Sequence, residues 1–209
     1  MAHPNDQFTR SMTFVTGNAG KLREVQALAP ASMSLDSRSL ELDEVQSLDL
    51  EKIVRHKLQQ AYAAIGSAVI VEDTGAGLES LGGLPGPFVK FFVAELGSPA
   101  LHRLSDKAAD KVTVSCVAGY YDGSTMLFGN GTITGMVCEP RGSNGFGFDP
   151  TIIPDDQPDG QRLTMAEMPL EAKNADSHRA RAFRDLFSRI MKYHATRTTQ
   201  TGLGETGRR

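Results

Sequence analysis

MTFVTGNAGKLREVQ, residues 12–26, passes from an apolar, β-branched run through a glycine-bearing turn into helical spacing. Residues 12–16 read as a short strand, and Gly17-Asn18-Ala19-Gly20-Lys21 breaks it. Leu22, Val25, Leu28 and Ala29 then recur at the period of a helix face. Strand, glycine loop and helix in this order open an α/β fold and are also the usual physical recipe for holding phosphate. Backbone N–H groups at a helix N-terminus point at an anion, and glycine lets it come close. Thr16, Asn18 and Lys21 add a hydroxyl, an amide and a cation at that mouth. The spacing is G-x-x-G-K, not the G-x-x-x-x-G-K of a Walker A loop, and Leu22 stands where a magnesium-binding Ser or Thr belongs.

Downstream, strands and helices keep alternating. Leu50, Ile53, Val54, Leu58, Ala61 and Ile65 mark one stripe of a helix over 50–65, with Asp49 placed as N-cap and Gly66 as terminator. Residues 68–71 read as a buried strand running into Glu72-Asp73-Thr74. A turn-rich stretch over 82–87 precedes a short helix near 88–96. Residues 111–121 alternate as a strand, Asp122-Gly123 signals a hairpin, and 126–137 supply the return. A glycine-rich loop over 141–150 carries two aromatics. The last helix spans about 177–193, with Ala182, Phe183, Leu186, Phe187, Ile190 and Met191 facing inward. Residues 1–11 and 195–209 are polar and aperiodic and read as disordered tails around a single domain, 12–194.

The chain has 209 residues, enough to bury a substantial core. Its formal net charge of −3 provides no global field to recruit nucleic acid or an anionic membrane. No apolar run approaches the ~20 residues needed to span a bilayer. The N-terminal MAHPNDQFTR has no apolar segment of a secretory signal. Two cysteines, Cys116 and Cys138, are too few for a secreted disulfide scaffold and read as reduced thiols. These features together point to a cytoplasmic protein.

Glu72 and Asp73, ending an apolar strand, are where an open α/β sheet places its ligands. Adjacent carboxylates are costly there unless a cation or hydrogen bonds neutralise them, and Mg²⁺ takes one or two carboxylates plus substrate phosphate. Asp49 and Glu51 are placed to complete such a site, although Asp49 serves equally as a cap. Lys57 lies two turns into the helix that Asp49 opens, and Lys90 sits among Phe88, Phe91 and Phe92. The loop Arg141-Gly-Ser-Asn-Gly-Phe-Gly-Phe-Asp-Pro150 offers aromatic faces to a purine, with Asp149 as acceptor for a ring N–H; a hairpin loop tucking Phe146 and Phe148 into the core is the plain alternative. Ser177-His178-Arg179, after Lys173-Asn174, gathers hydrogen-bond donors at a helix start, which suit a keto oxygen and disfavour an amino group. No Ser/His/Asp or Cys/His arrangement is legible.

Four stretches, FVTGNAGKLREVQ (14–26), VEDTGAGLESLGGLPGPFVKFF (71–92), GFGFDP (145–150) and LTMAEMPLEAKNADSHRARAF (163–183), resemble the inosine triphosphate pyrophosphatase family, the Ham1-like purine NTP pyrophosphatases. The resemblance implies a mixed α/β (α+β) fold, elongated and two-lobed, with a long central mixed sheet and a cleft for the nucleotide. It also implies a homodimer, dependence on Mg²⁺ with Mn²⁺ as a substitute, and hydrolysis of ITP, dITP and XTP to the monophosphate and pyrophosphate, sanitising the nucleotide pool. By position, Thr16, Gly17, Asn18, Ala19, Gly20 and Lys21 form the phosphate loop, and Asp73 with Lys21 is catalytic. Asp49, Glu72 and Asp73 are the metal candidates. Lys57, Thr74, Lys90 and Lys173 contact substrate, and Phe146, Gly147, Phe148, Asp149, Ser177, His178 and Arg179 recognise the nucleoside. Two departures stand out: Asp49 is shorter than the usual Glu, and Phe148 replaces a frequent Trp.

Overall fold

Strand β1 (Arg10–Val15) starts two residues before the expected Met12, because its backbone finds a partner along its full length in β2 (Met33–Arg38). The structure, a computed structural model, describes residues 10–105 and 110–202. Most of the expected N-terminal tail therefore lies outside the described residues. Between the two strands runs α1 (Ala19–Leu28), started by Asn18, whose Oδ1 accepts from the N–H groups of Gly20 (2.9 Å) and Lys21 (3.1 Å). Helix α2 (Leu50–Ile65) has the expected ends. Asp49 Oδ1 accepts from the N–H of Glu51 at 2.9 Å and of Lys52 at 3.3 Å, and Gly66 stops the helix in the left-handed region at φ 74°.

β3 (Val69–Leu78), the two-residue β4 (Pro85–Gly86), α3 (Val89–Leu96) and α4 (Ala100–Leu104) follow. β5 (Lys111–Tyr121) and β6 (Met126–Val137) form the expected hairpin, its turn held by Asp122 Oδ1 accepting from Ser124 and Thr125 N–H. β7 (Ile152–Pro154), α5 (Leu170–Asp176) and α6 (His178–Gly202) complete the chain. The sheet order is β2-β1-β3-β5-β6-β7, with β4 added onto β3. β1 runs parallel to both neighbours and the remaining pairs are antiparallel, so the sheet is mixed, as expected.

The decisive feature is a fork. β1 pairs with β3 only at Thr13↔Val69 and Phe14↔Ile70, after which the two strands part. β3 does not end at Glu72-Asp73, as its apolar run suggested. It continues to Leu78 because β5 pairs with all ten of its residues and β4 joins at Ala76 and Gly77. Glu72, Asp73 and Thr74 thus lie in mid-strand, on the stretch between the departure of β1 and the arrival of β4.

Three hydrophobic centres surround this fork. α1 and α6 cover one face through Val25, Phe183, Leu186 and Ile190 against Phe14, Ile70 and Tyr120, with the Phe14 and Phe183 rings edge to face at 5.6 Å. α2 covers the other through Val54, Leu58 and Ala61 on Val69, Val71 and Val117. The long strands then carry the sheet into a second lobe, where Leu78, Val89, Leu101, Val114, Ile133 and Met165 pack together. α6 lies directly on β6 because Gly129 and Gly131 have no side chain: a Cβ on Gly131 would stand 2.0 Å from His178 O, and one on Gly129 2.2 Å from Ala182 O.

Two expectations about the C-terminal region are corrected. α6 runs on to Gly202, through the first eight residues of the expected disordered tail, with Thr196 Oγ1 bonding Lys192 O and Arg197 Nη1 bonding the Tyr193 hydroxyl one turn back. Met191 is 51% exposed, because one residue past the buried Ile190 is a rotation of about 100° off the core stripe. β2, β7, α4 and α5 were not anticipated. They are short, and the polar alternation of MSLDSR in β2 hides an edge strand.

Candidate active site

At the fork, the start of α1, the middle of β3, α2, α3, the loop 146–149 and the start of α6 enclose a cavity of about 440 Å³. That lies in the usual range for small-molecule sites. One end is charged, lined by Asn18, Lys21, Glu44, Lys57, Asp73 and Lys90. The other is aromatic and polar, lined by Phe146, Gly147, Phe148, Asp149, His178 and Arg179, and Val89, Val93 and Ala94 form the apolar wall. The sequence-expected Thr74 lines it as well.

At the charged end, Lys57 Nζ lies 3.1 Å from Glu44 Oε1, 3.4 Å from the backbone oxygen of Glu72 and 3.7 Å from Asp73 Oδ2. Lys90 pairs with the other oxygen of Glu44. Partial burial, and then the like charge of Lys21, lowers the Lys90 pKa from its ordinary value. Asp73 Oδ1 accepts its neighbour Thr74 N–H at 2.9 Å, leaving Oδ2 toward the lysine. Of the expected phosphate loop, Asn18 and Lys21 reach the cavity. Thr16 instead accepts from Asn18 N–H at 3.1 Å and shapes the turn, and Gly17, Ala19 and Gly20 do not line the cavity. A Cβ on Gly20 would stand 2.4 Å from the ring of Phe146, so any side chain there must displace that ring.

Behind the cavity runs a buried chain of alternating charge. Lys21 pairs with Glu72, and Arg179 Nε reaches Glu72 Oε2 at 3.1 Å while its Nη1 reaches Glu24 Oε2 at 2.6 Å. Lys173 Nζ then bridges Glu24 Oε1 and Asp149 Oδ2, both at 2.6 Å. Buried ions persist only when paired in this way. Burial pushes the Glu72 carboxyl up, but Arg179 and Lys21 outweigh it and hold it well below the usual range. Burial raises Asp149, and Lys173 offsets only part of that. His178 is pushed well below the usual histidine range, first by burial and then by Arg179 and Lys173. It is therefore a neutral imidazole, 1% exposed, and neither ring nitrogen has a hydrogen-bond partner among the described residues. The Phe146 ring lies under two cations, 4.9 Å from Lys173 Nζ and 5.4 Å from Arg179 Cζ, and Phe148 stands 6.4 Å from His178. Both aromatics line the cavity, and Phe148 also packs against the second-lobe core.

The Ham1 family profile matches residues 12–189. The chain belongs to the Ham1 family. An inosine triphosphate pyrophosphatase of Yarrowia lipolytica is 39% identical over 181 residues, covering 84% of this chain and 93% of that one. One of Scheffersomyces stipitis is 38% identical over 190 residues, covering 82% and 93%. Among solved structures, a Ham1 protein from Coxiella burnetii superposes with a TM-score of 0.70 at 25% identity, covering 88% of this chain and 99% of that one.

In this Ham1 chain the structure separates the candidate metal ligands. Asp49 spends its carboxylate capping α2 and does not line the cavity. Glu72 is enclosed by Lys21, Arg179, Thr74 and Cys116. The carboxylates that line the cavity's charged end are Asp73 and Glu44. Among the described residues no three His, Cys, Asp or Glu side chains form a ready-made metal cage. A magnesium ion that arrives with a triphosphate needs no cage, because phosphate and water supply its other ligands, and two carboxylates beside three lysines fit that donor set. Lys173 and Ser177 do not line the cavity: Lys173 donates to Asp149, which does, and Ser177 caps α6 by accepting from Ala180 N–H at 3.2 Å. Sequence reasoning missed Glu24 and Glu44. Glu24 sits between Arg23 and Val25 on a mostly polar helix, and Glu44 lies in a segment without periodicity, so nothing local distinguishes either from a solvated acid.

Proposed function

We propose that this chain hydrolyses aberrant purine nucleoside triphosphates, ITP, dITP and XTP, to the monophosphate and pyrophosphate, and so cleans the nucleotide pool. The observation that carries this is the division of the cavity into a lysine and carboxylate end and an aromatic end with unspent hydrogen-bonding groups. Curated relatives named inosine triphosphate pyrophosphatase support it.

At the base end, Arg179 spends three of its five N–H donors on Glu72, Glu24 and Thr74, leaving two. His178 offers one more donor. Both hydrogen bonds to Asp149 fall on Oδ2, which leaves Oδ1 as an acceptor. A 6-oxopurine presents the complement, an acceptor at O6 and a donor at N1–H. Adenine presents the reverse, and a site left with unpaired buried groups rejects such an analogue by about 10⁴. Phe146 and Phe148 supply stacking surfaces for the ring.

At the other end Lys21, Lys57 and Lys90 hold the triphosphate, with the amide of Asn18 at the mouth of α1. Magnesium, or manganese in its place, held by Asp73 and Glu44 with the phosphates, would supply charge neutralisation for the leaving pyrophosphate. Asp73 orients the attacking water and takes up its proton. The water oxygen bonds the α-phosphorus as the bond to the bridging oxygen breaks, and pyrophosphate leaves with the electron pair. Asp73→Asn should abolish turnover while circular dichroism and thermal melting stay those of the parent; an active variant would sink the assignment.

The chain acts as a homodimer in this proposal. A groove of about 560 Å³ in the second lobe, with Leu48, Leu81 and Leu84 exposed at its edge, offers an apolar surface for a second copy. No helix among the described residues is long and apolar enough to cross a membrane. Cys116 and Cys138 are both free thiols, in keeping with a cytoplasmic location.

A further inference from the structure

Four donors converge on the carboxylate of Glu72. Lys21 Nζ meets Oε1, while Arg179 Nε at 3.1 Å, Thr74 Oγ1 at 3.2 Å and Cys116 Sγ at 3.1 Å all meet Oε2. Lys21 and Arg179 line the cavity at its phosphate and base ends, so this one carboxylate ties the two halves of the site together. Three of the four donors belong to side chains that line the cavity and can be drawn toward a ligand. Cys116 is different. It is 1% exposed, does not line the cavity, and sits in mid-strand on β5, paired with Thr74 of β3 on one side and Gly131 of β6 on the other. Its side chain is short and its backbone is fixed by two neighbouring strands, so its thiol reaches Glu72 from a rigid support.

We propose that Cys116 is a positioning residue of this site: its thiol, donating to Glu72 Oε2, fixes the carboxylate that presents Lys21 to phosphate and Arg179 to the base. The proposal rests on the nucleotide assignment above. When triphosphate draws Lys21 forward, Glu72 loses part of its Oε1 partner, and the thiol keeps the carboxylate aimed at Arg179. A thiol is a weak donor, but a charged acceptor roughly doubles the strength of a hydrogen bond. Lys21 and Arg179 contact the bound nucleotide before and during reaction, so misplacing them weakens binding throughout and should raise KM more than it lowers kcat.

The test uses three variants of the full chain, Cys116→Ser, Cys116→Val and Cys116→Ala. Serine keeps a donor, valine keeps the bulk, and alanine keeps neither. With ITP, KM should rise about ten-fold in the alanine and valine variants with kcat within about two-fold of the parent, while serine stays near the parent. An order that follows side-chain volume, with valine normal and serine as poor as alanine, overturns the proposal. If the valine variant does not fold, alanine against serine makes the same comparison. Crystal structures of the variants provide a readout that needs no turnover. Glu72 Oε2 should remain within hydrogen-bond reach of Arg179 Nε in the serine variant and swing away in the others; a carboxylate unmoved in all of them overturns the proposal. A parent chain that turns over no nucleotide sinks the functional assignment instead, and the structural readout still decides the role of Cys116.

Discussion

Lys173 and Lys90 carry the same ammonium group into opposite surroundings. Lys173 is 4% exposed and neutralises two buried carboxylates, whereas the Lys90 side chain is 44% exposed at the mouth of the cavity. Removing one partner from a buried ion pair strands the others, so Lys173→Met should cost about 3 kcal/mol in urea unfolding. Lys90→Met should cost less than about 1 kcal/mol, since half-exposed pairs contribute little, yet it should raise KM for ITP. Equal stabilities for the two variants would contradict the buried chain of charge. Legibility in the sequence divides along the same line. Lys57, Lys90, Asp73, Phe146, Asp149, His178 and Arg179 are legible as candidates and line one cavity, because each sits in a block with local punctuation. The partners that hold them are not legible: Glu24 meets Lys173 and Arg179 across some 150 residues, and Glu44 meets Lys57 and Lys90 from a segment without periodicity.

Among the elements, α2, β5 and β6 fall where periodicity put them, since long amphipathic segments declare their ends through caps and turns. β3 runs past the end that its apolar stretch suggests. Glu72-Asp73-Thr74-Gly75 looks like a strand ending, and only the pairing of β5 along its whole length shows why it continues. The placement of α6 depends on two residues that carry no signal at all. Gly129 and Gly131 let the helix start lie on β6, which brings His178 and Arg179 to the cavity. Gly131→Ala drives a methyl group against backbone that cannot yield, and overpacking of this kind costs about 1–3 kcal/mol. The variant should melt at a lower temperature and show a raised KM for ITP. A melt and a KM unchanged from the parent would mean that α6 has freedom the packing denies it.

For the whole molecule, the mixed sheet and the Ham1 fold follow from the order of the motifs, while the fork that creates the cavity is a property of strand pairing. β1 leaves β3 after Ile70, and Glu72, Asp73 and Thr74 occupy the opening with lysines on one side and the aromatic end of the cavity on the other. In the proposed function, phosphate chemistry and base choice are therefore built on one strand and joined through Glu72, which pairs with both Lys21 and Arg179. The most direct test is pyrophosphate release by the purified chain with Mg²⁺, comparing ITP and XTP with GTP, ATP and dTTP. The site predicts that ITP and XTP are preferred over ATP by about 10⁴ in kcat/KM, with activity lost on chelation. ATP cleaved as readily as ITP would contradict the base pocket, and release from none of the nucleotides would contradict the assigned reaction itself.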